Sequence, residues 1–261
     1  MSLNIVVCVK QVPDTAVERT LREGDGTLDR ASLDGLINEL DEYAIEEGLK
    51  IAEAHGGEVT ILSVGPEKAA ESIRKALSMG ADKAVHVVDE AIAGSDSLAT
   101  SLVLAEALKQ TRFDLVVFGS ESTDARTGVV PAMVAERLGV PQLTLASRVE
   151  IEGTDVTIRR VSDEGVDTVT GSLPAVVSVV EKINEPRYPS FKGIMAAKKK
   201  PVQTLSLADL PVDASLVGLA GSATAVADFA KRPPRQAGEI VADEGDGGSR
   251  AAAFLAGRKF I

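Results

Sequence analysis

Along this chain the hydrophobic positions form short unbroken runs, separated by stretches in which they recur at helical spacing. Asn4–Val9 (NIVVCV), Val59–Val64 (VTILSV), Lys83–Val88 and Phe113–Phe118 (FDLVVF) are mostly apolar and rich in β-branched residues, and each closes on a polar or turn-forming segment. Runs of this kind read as strands buried on both faces, the habit of parallel sheets. Between the first two, Ile37, Leu40, Ala44, Gly48 and Ile51 follow a helical period behind Asp34, a candidate cap, and end near His55-Gly56-Gly57. Ala70, Ile73, Ala76 and Leu77 mark one face of a helix over Glu67–Met79, and Asp96–Gln110 and Val130–Leu138 predict two more. Strand and helix in alternation favour right-handed crossovers around a parallel sheet.

After Leu138 the rhythm changes. Val149–Ile151, Val156–Val161 and Asp167–Thr170 alternate around Gly153 and Gly165, as antiparallel strands joined by tight turns do. Leu173–Val180 (LPAVVSVV) returns to the buried-strand type. The expected fold is therefore α/β and Rossmann-like: a mainly parallel sheet with helices on both faces, an antiparallel edge and an extended C-terminal arm. Three regions are expected: 1–183 as the α/β body, 184–200 as the arm, and 201–261 as a tail.

The arm has its own pattern. Pro186 and Pro189 push Asn184–Phe191 toward stiff extended backbone, after which Phe191, Ile194 and Met195 ride on a projecting loop with Gly193 as its bend. Apolar anchors flanked by positive charge suit a partner surface, although a linker folded back on the body has the same composition. The tail is dominated by Ala, Gly, Ser and Asp and is too poor in large apolar residues for a core of its own. Ala251–Leu255 is its one candidate helix.

Composition narrows the function classes. Hydrophobic residues make up 44% of 261 positions with only 3% aromatic, so the interior is aliphatic. A net charge of −11 argues against nucleic acid as partner, and Lys198–Lys200 is too small a cluster to reverse that. The single cysteine, Cys8, permits no intrachain disulfide and suits a reducing compartment. No charged-then-apolar leader opens the chain, and Ile5–Val9 is too short to enter a bilayer, so a cytoplasmic protein without membrane insertion is expected.

Ligands of open parallel sheets bind just past the carboxyl ends of strands, which points to Cys8–Lys10 and to the loop Gly119–Gly128. That loop joins a strand to a helix amino terminus, where backbone N–H groups can meet a phosphate, and Ser122, Thr123, Arg126 and Thr127 add donors. Many such turns bind nothing, and neither GxxxxGK[ST] nor GxGxxG is present. There is no Ser-His-Asp set, paired-cysteine motif or HExxH. His86, near a strand end with no acidic or nucleophilic partner in sequence, reads as structural. The chain is expected to bind and position rather than catalyse.

Several segments in order resemble the beta subunit of electron transfer flavoproteins: Lys10-Gln11-Val12-Pro13-Asp14, Asn38–Glu47, Gly65–Val87, Pro141-Gln142-Leu143-Thr144 and above all Asn184-Glu185-Pro186-Arg187-Tyr188-Pro189 with Gly193–Lys200. The resemblance implies an adenine-nucleotide-binding body that holds AMP, with Cys8, Asn38, Asp41, Val64, Gly119, Ser122, Thr123, Thr127 and Gly128 around it. It implies an alpha-subunit partner, an FAD shared with that subunit, and a tail reaching over it. Tyr188, Pro189, Phe191, Ile194 and Met195 would dock acyl-CoA and related dehydrogenases, with electrons passing on to a quinone oxidoreductase. The family's apolar anchor, usually leucine, falls on Phe191. Its loop at Gly119–Gly128 is commonly longer and richer in Asp, with Asn-Gln before the Thr-Gly matched by Thr127 and Gly128. Two alternatives stand beside this reading: a bifurcating subunit with a second FAD in place of AMP, and a universal-stress-type nucleotide sensor. An ATP-consuming pyrophosphatase would need an SGGxDS loop where Lys10–Asp14 lies.

Overall fold

In a computed structural model describing residues 2–235, 237–238 and 240–261, the chain divides into a unit ending at Ala227 and a second, Asp228–Ile261. The strands of the first unit are β1 (Leu3–Cys8), β2 (Gln11–Pro13), β3 (Gly35–Ile37), β4 (Gly57–Val64), β5 (Lys83–Val87), β6 (Leu115–Gly119), β7 (Gln142–Glu152), β8 (Asp155–Ser162), β9 (Gly165–Ser172), β10 (Ala175–Val179) and β11 (Val202–Leu205). Its helices are α1 (Glu39–His55), α2 (Ala70–Met79), α3 (Ser97–Gln110), α4 (Val130–Leu138), α5 (Phe191–Ala197) and α6 (Gly218–Gly221). The second unit holds α7 (Gly247–Gly257), which has no buried residue and exposes Phe254 and Leu255.

Nine strands form one sheet in the order β11-β5-β4-β1-β6-β10-β7-β8-β9, and β2 and β3 pair separately as a small antiparallel ribbon. The sheet is parallel from β11 to the start of β7, then antiparallel through β8 and β9, as the pattern predicted. Two apolar layers flank it. Ile5, Val7 and Ile61 pack with Ile45, Leu49 and Ile73 of α1 and α2 on one face, and Val6, Leu62 and Val116 pack with Val103, Leu108 and Val134 of α3 and α4 on the other. Alternate residues of the same central strands thus enter opposite layers, which is why their sequences are unbroken apolar runs. α1 comes unusually close: a Cβ on Gly48 would sit 2.8 Å from Val7 Cγ2.

Two local expectations are corrected. Asp34 does not cap α1; it precedes β3, and Asn38 holds the cap position with its side chain engaged elsewhere. The projecting loop at Phe191 is a two-turn helix, because Ser190 Oγ accepts from Gly193 N at 3.0 Å and caps it. Asp41, Glu46 and Glu47 are acidic yet buried on α1. Of the segment after Pro201, Val202–Leu205 pairs with β5 and Leu205, Leu207, Leu210 and Val217 are buried against the chain's own body.

Candidate functional site

The strand order reverses beside β1. From β1 the chain runs to β4 and β5 on one side, then crosses to β6 and β10 on the other. The crevice past the carboxyl ends of β1 and β6 is the switch point at which open α/β sheets bind ligands. Cys8 ends β1, Val64 ends the neighbouring β4, and Gly119 ends β6. The amino terminus of α1 closes the crevice from the side.

Gly119 lets it close. A Cβ there would lie 2.6 Å from Asp41 Oδ1 and 2.7 Å from both the carbonyl carbon and oxygen of Leu40, so only glycine lets α1 start this near β6. Asp41 is buried, and its carboxylate accepts from Lys10 N at 2.8 Å. Burial drives its pKa up to about 7 against the hydrogen bonds from Lys10, Asn38 and Gly119 that favour the ion. Asn38 bridges to the loop: its Nδ2 donates to Glu121 O at 2.9 Å and its Oδ1 accepts from Thr123 N at 3.1 Å. Cys8 is buried too, and desolvation, with Asp41 adding, raises its thiol well above the ordinary range, so it remains a protonated packing group.

The loop after Gly119 is held by charge. Lys10 Nζ donates to Asp124 Oδ1 at 2.9 Å and Ser122 Oγ at 3.3 Å, while Arg30 donates to the other Asp124 oxygen and Arg19 Nη1 reaches Thr123 O at 2.7 Å. Burial disfavours the Asp124 ion, but Lys10 and Arg30 overcome this and hold the carboxyl well below the usual range. Burial likewise lowers Lys10, with Asp124 offsetting part of the shift. Sequence reasoning did not select Asp124, Arg30 or Arg19 as site residues. The Arg30 pairing spans 94 positions and leaves no periodic trace.

Cys8, Asn38, Asp41, Gly119, Ser122 and Thr123 therefore converge on one crevice, with Val64 at the end of the adjoining strand. Thr127 and Gly128 lie farther along, before α4, where Thr127 Oγ1 accepts from Ser97 Oγ at 3.3 Å and Gly128 takes φ 63°. Val129 at the cap of α4 offers no side-chain cap, so the first N–H groups of α4 have no side-chain acceptor. Thr123 Oγ1 is buried and has no hydrogen-bond partner among the described residues. An orphan hydroxyl in a loop that leads to an uncapped helix start fits a phosphate-bearing group at this loop.

The arm runs along α1, from Tyr43 toward Glu53. Asn184 Nδ2 donates to Tyr43 O at 3.1 Å and Glu47 Oε2 at 3.0 Å. Arg187 then grips the helix: Nε and Nη2 donate to the two oxygens of Glu46 at 2.7 and 3.0 Å, and Nη1 and Nη2 to those of Glu53 at 2.6 and 3.1 Å. Beyond this clamp α5 rests on α2, where a Cβ on Gly193 would meet Ser78 O at 2.4 Å. The apolar residues face outward: Tyr188 is 95% exposed and Phe191 82%, with Ile194 and Met195 also exposed. Among the described residues no helix is long and apolar enough to cross a membrane, and no cluster of His, Cys, Asp and Glu could hold a metal ion.

Comparison with known proteins agrees on one grouping. The electron transfer flavoprotein domain family matches residues 25–210. The chain is 52% identical to the electron transfer flavoprotein subunit beta of Mycobacterium tuberculosis, with 99% of each chain covered. It is 39% identical to that of Thermoanaerobacterium thermosaccharolyticum, over 91% of this chain and 92% of the relative. To that of Megasphaera elsdenii it is 35% identical, over 94% and 93%.

Proposed function

The chain belongs to the electron transfer flavoprotein family, with beta subunits as its relatives over nearly its whole length, and from this premise we propose how its parts divide the work of an electron carrier. It acts as the beta subunit of a heterodimer and does no catalysis of its own. An AMP at the switch-point crevice is a structural ligand. Its phosphate takes the backbone N–H groups around Thr127, Gly128 and the start of α4, with Ser122 and Thr123 as side-chain donors. Asn38 and Asp41 hold the loop and helix start in register, and Cys8, Val64 and Gly119 line the strand ends. Bound FAD, shared with the alpha subunit, supplies the electron-storing chemistry. The segment Asp228–Ile261, with the exposed Phe254 and Leu255, lies on that partner.

Tyr188, Pro189, Phe191, Ile194 and Met195 form the surface that docks acyl-CoA and related dehydrogenases, which deliver electrons that a quinone oxidoreductase later removes. The observation that carries this reading is a short helix, packed on α2, that turns Phe191, Ile194 and Met195 to water behind a clamp at its root. Ordinary folding would bury Phe191, whereas here Arg187 fixes the backbone that presents it.

The test is mass spectrometry of nucleotides released by denaturation from this chain alone and from its complex with the alpha subunit. AMP from this chain, with FAD appearing only in the complex, is the expected result. FAD released from this chain alone would replace AMP with a second flavin, and no adenine nucleotide from either sample would refute the crevice as a nucleotide site.

A further inference from the structure

A groove of about 500 Å³, within the size range of small-molecule sites, lies between α2, the end of α5 and strands β5 and β11, away from the crevice described above. Its charge runs against the chain. The net charge is −11, yet Arg74, Lys198 and Lys200 line the groove and, among the described residues, no carboxylate does. Lys200 is already engaged, because its Nζ donates to the carbonyls of Leu77, Gly80 and Ala81 at 3.0, 3.2 and 2.5 Å and so ends α2. Arg74 and Lys198 are exposed and have no hydrogen-bond or ion-pair partner among the described residues.

The lining of the groove adds a second observation. His86 on β5 is buried, and its Nε2 has no hydrogen-bond partner among the described residues. An orphan ring nitrogen in the interior is costly unless something outside the chain completes it. Burial lowers the pKa of the ring, and the backbone of Gly65 and Pro66 offsets part of that shift. Thr204 sits opposite His86 in the β5–β11 register and lines the same groove, adding a hydroxyl. Ile73, Leu77 and Val202 supply apolar wall.

We propose that this groove binds a small phosphate-bearing molecule, its head held between Arg74 and Lys198 with His86 and Thr204 beneath it, and its apolar remainder against Ile73 and Val202. Two unpaired cations match a dianionic head better than a single carboxylate, and the imidazole supplies a further donor when protonated.

The chain has only two histidines, so each reports separately. The full chain, labelled with ¹⁵N-histidine, is titrated with inorganic phosphate at constant ionic strength made up with sodium chloride. The His86 ring signals are expected to shift saturably and their titration midpoint to rise by about one pH unit, while His55, at the end of α1, stays put. The double variant Arg74→Gln/Lys198→Gln, both at exposed positions, is expected to keep the fold by circular dichroism and to lose the response. Thr204→Val gives an independent variant, expected to weaken the response. No saturable shift would overturn the proposal, as would an equal shift at His55 or an equal effect of chloride. Phosphate captured instead at the Gly119–Gly128 loop would leave the double variant responding like the parent, and that result overturns it as well.

Discussion

Replacing Arg187 with alanine tests whether the arm is fastened or merely resting. The clamp joins unequal partners: the Glu46 side chain is 8% exposed and that of Glu53 60%. Removing the guanidinium strands a nearly buried carboxylate at Glu46 but only a solvated one at Glu53. Breaking a fully buried pair costs about 3–5 kcal/mol; with Arg187 itself a third exposed, water recovers part of this, and about 2–3 kcal/mol is expected. In double-mutant cycles the Arg187–Glu46 coupling should reach roughly 1.5–2.5 kcal/mol and the Arg187–Glu53 coupling stay below about 0.5 kcal/mol. Urea is the denaturant to use, since guanidinium chloride would screen the charges being measured. The arm can also open locally without global unfolding, so trypsin cleavage after Lys192, Lys198 and Lys199 is the companion assay, and Arg187→Ala should accelerate it severalfold. Equal couplings to the two glutamates, or an alanine variant as stable and as protease-resistant as the parent, would refute the clamp.

Three other perturbations address the crevice and the exposed Phe191. Asp41 has a folded pKa of about 7 against an ordinary 3.8, so the folded state holds its proton more tightly; the group favours folding at low pH and that contribution is lost as pH rises toward 7. Compared with Asp41→Asn, the parent should therefore lose on the order of 3 kcal/mol between about pH 4 and about pH 7, read from urea midpoints, and parallel curves for the two would contradict the assignment. Gly119→Ala forces a methyl against Leu40 and Asp41 and should cost about 1–3 kcal/mol in melting experiments while weakening AMP retention. Phe191→Ala should change stability by less than about 0.5 kcal/mol and leave the flavin spectrum of the complex intact, yet slow electron acceptance from a dehydrogenase in stopped-flow.

The central sheet was legible because its strands are buried on both faces, and burial leaves an unbroken apolar run. Cys8, Gly119 and Ser122 could be placed near one crevice because strand ends and loops announce themselves in sequence, whereas Asn38 was placed there by the family resemblance. What was not legible is what depends on pairing at long range. Glu46 and Glu47 have the composition of a solvated face, yet they are buried and bonded to Arg187 and Asn184, some 140 positions away. The helix at Phe191 was hidden by two prolines whose stiffening stops at Pro189, one residue before Ser190 begins the cap. Leu205, Leu207, Leu210 and Val217 are spread through a polar, Ala-rich segment, and their spacing fits neither strand nor helix; the sheet edge collects them.

The arm starts from β10 and ends in β11, which are five places apart in the sheet, or about 24 Å at the usual spacing of neighbouring strands. It is therefore a strap anchored at both ends rather than a flap with one free end. Most of the conformational entropy that a loose loop would surrender on meeting a partner is already lost when this chain folds. Phe191 and Met195 can then be exchanged for other apolar groups without retuning the backbone beneath them, so the choice of partner and the stability of the body are free to vary separately.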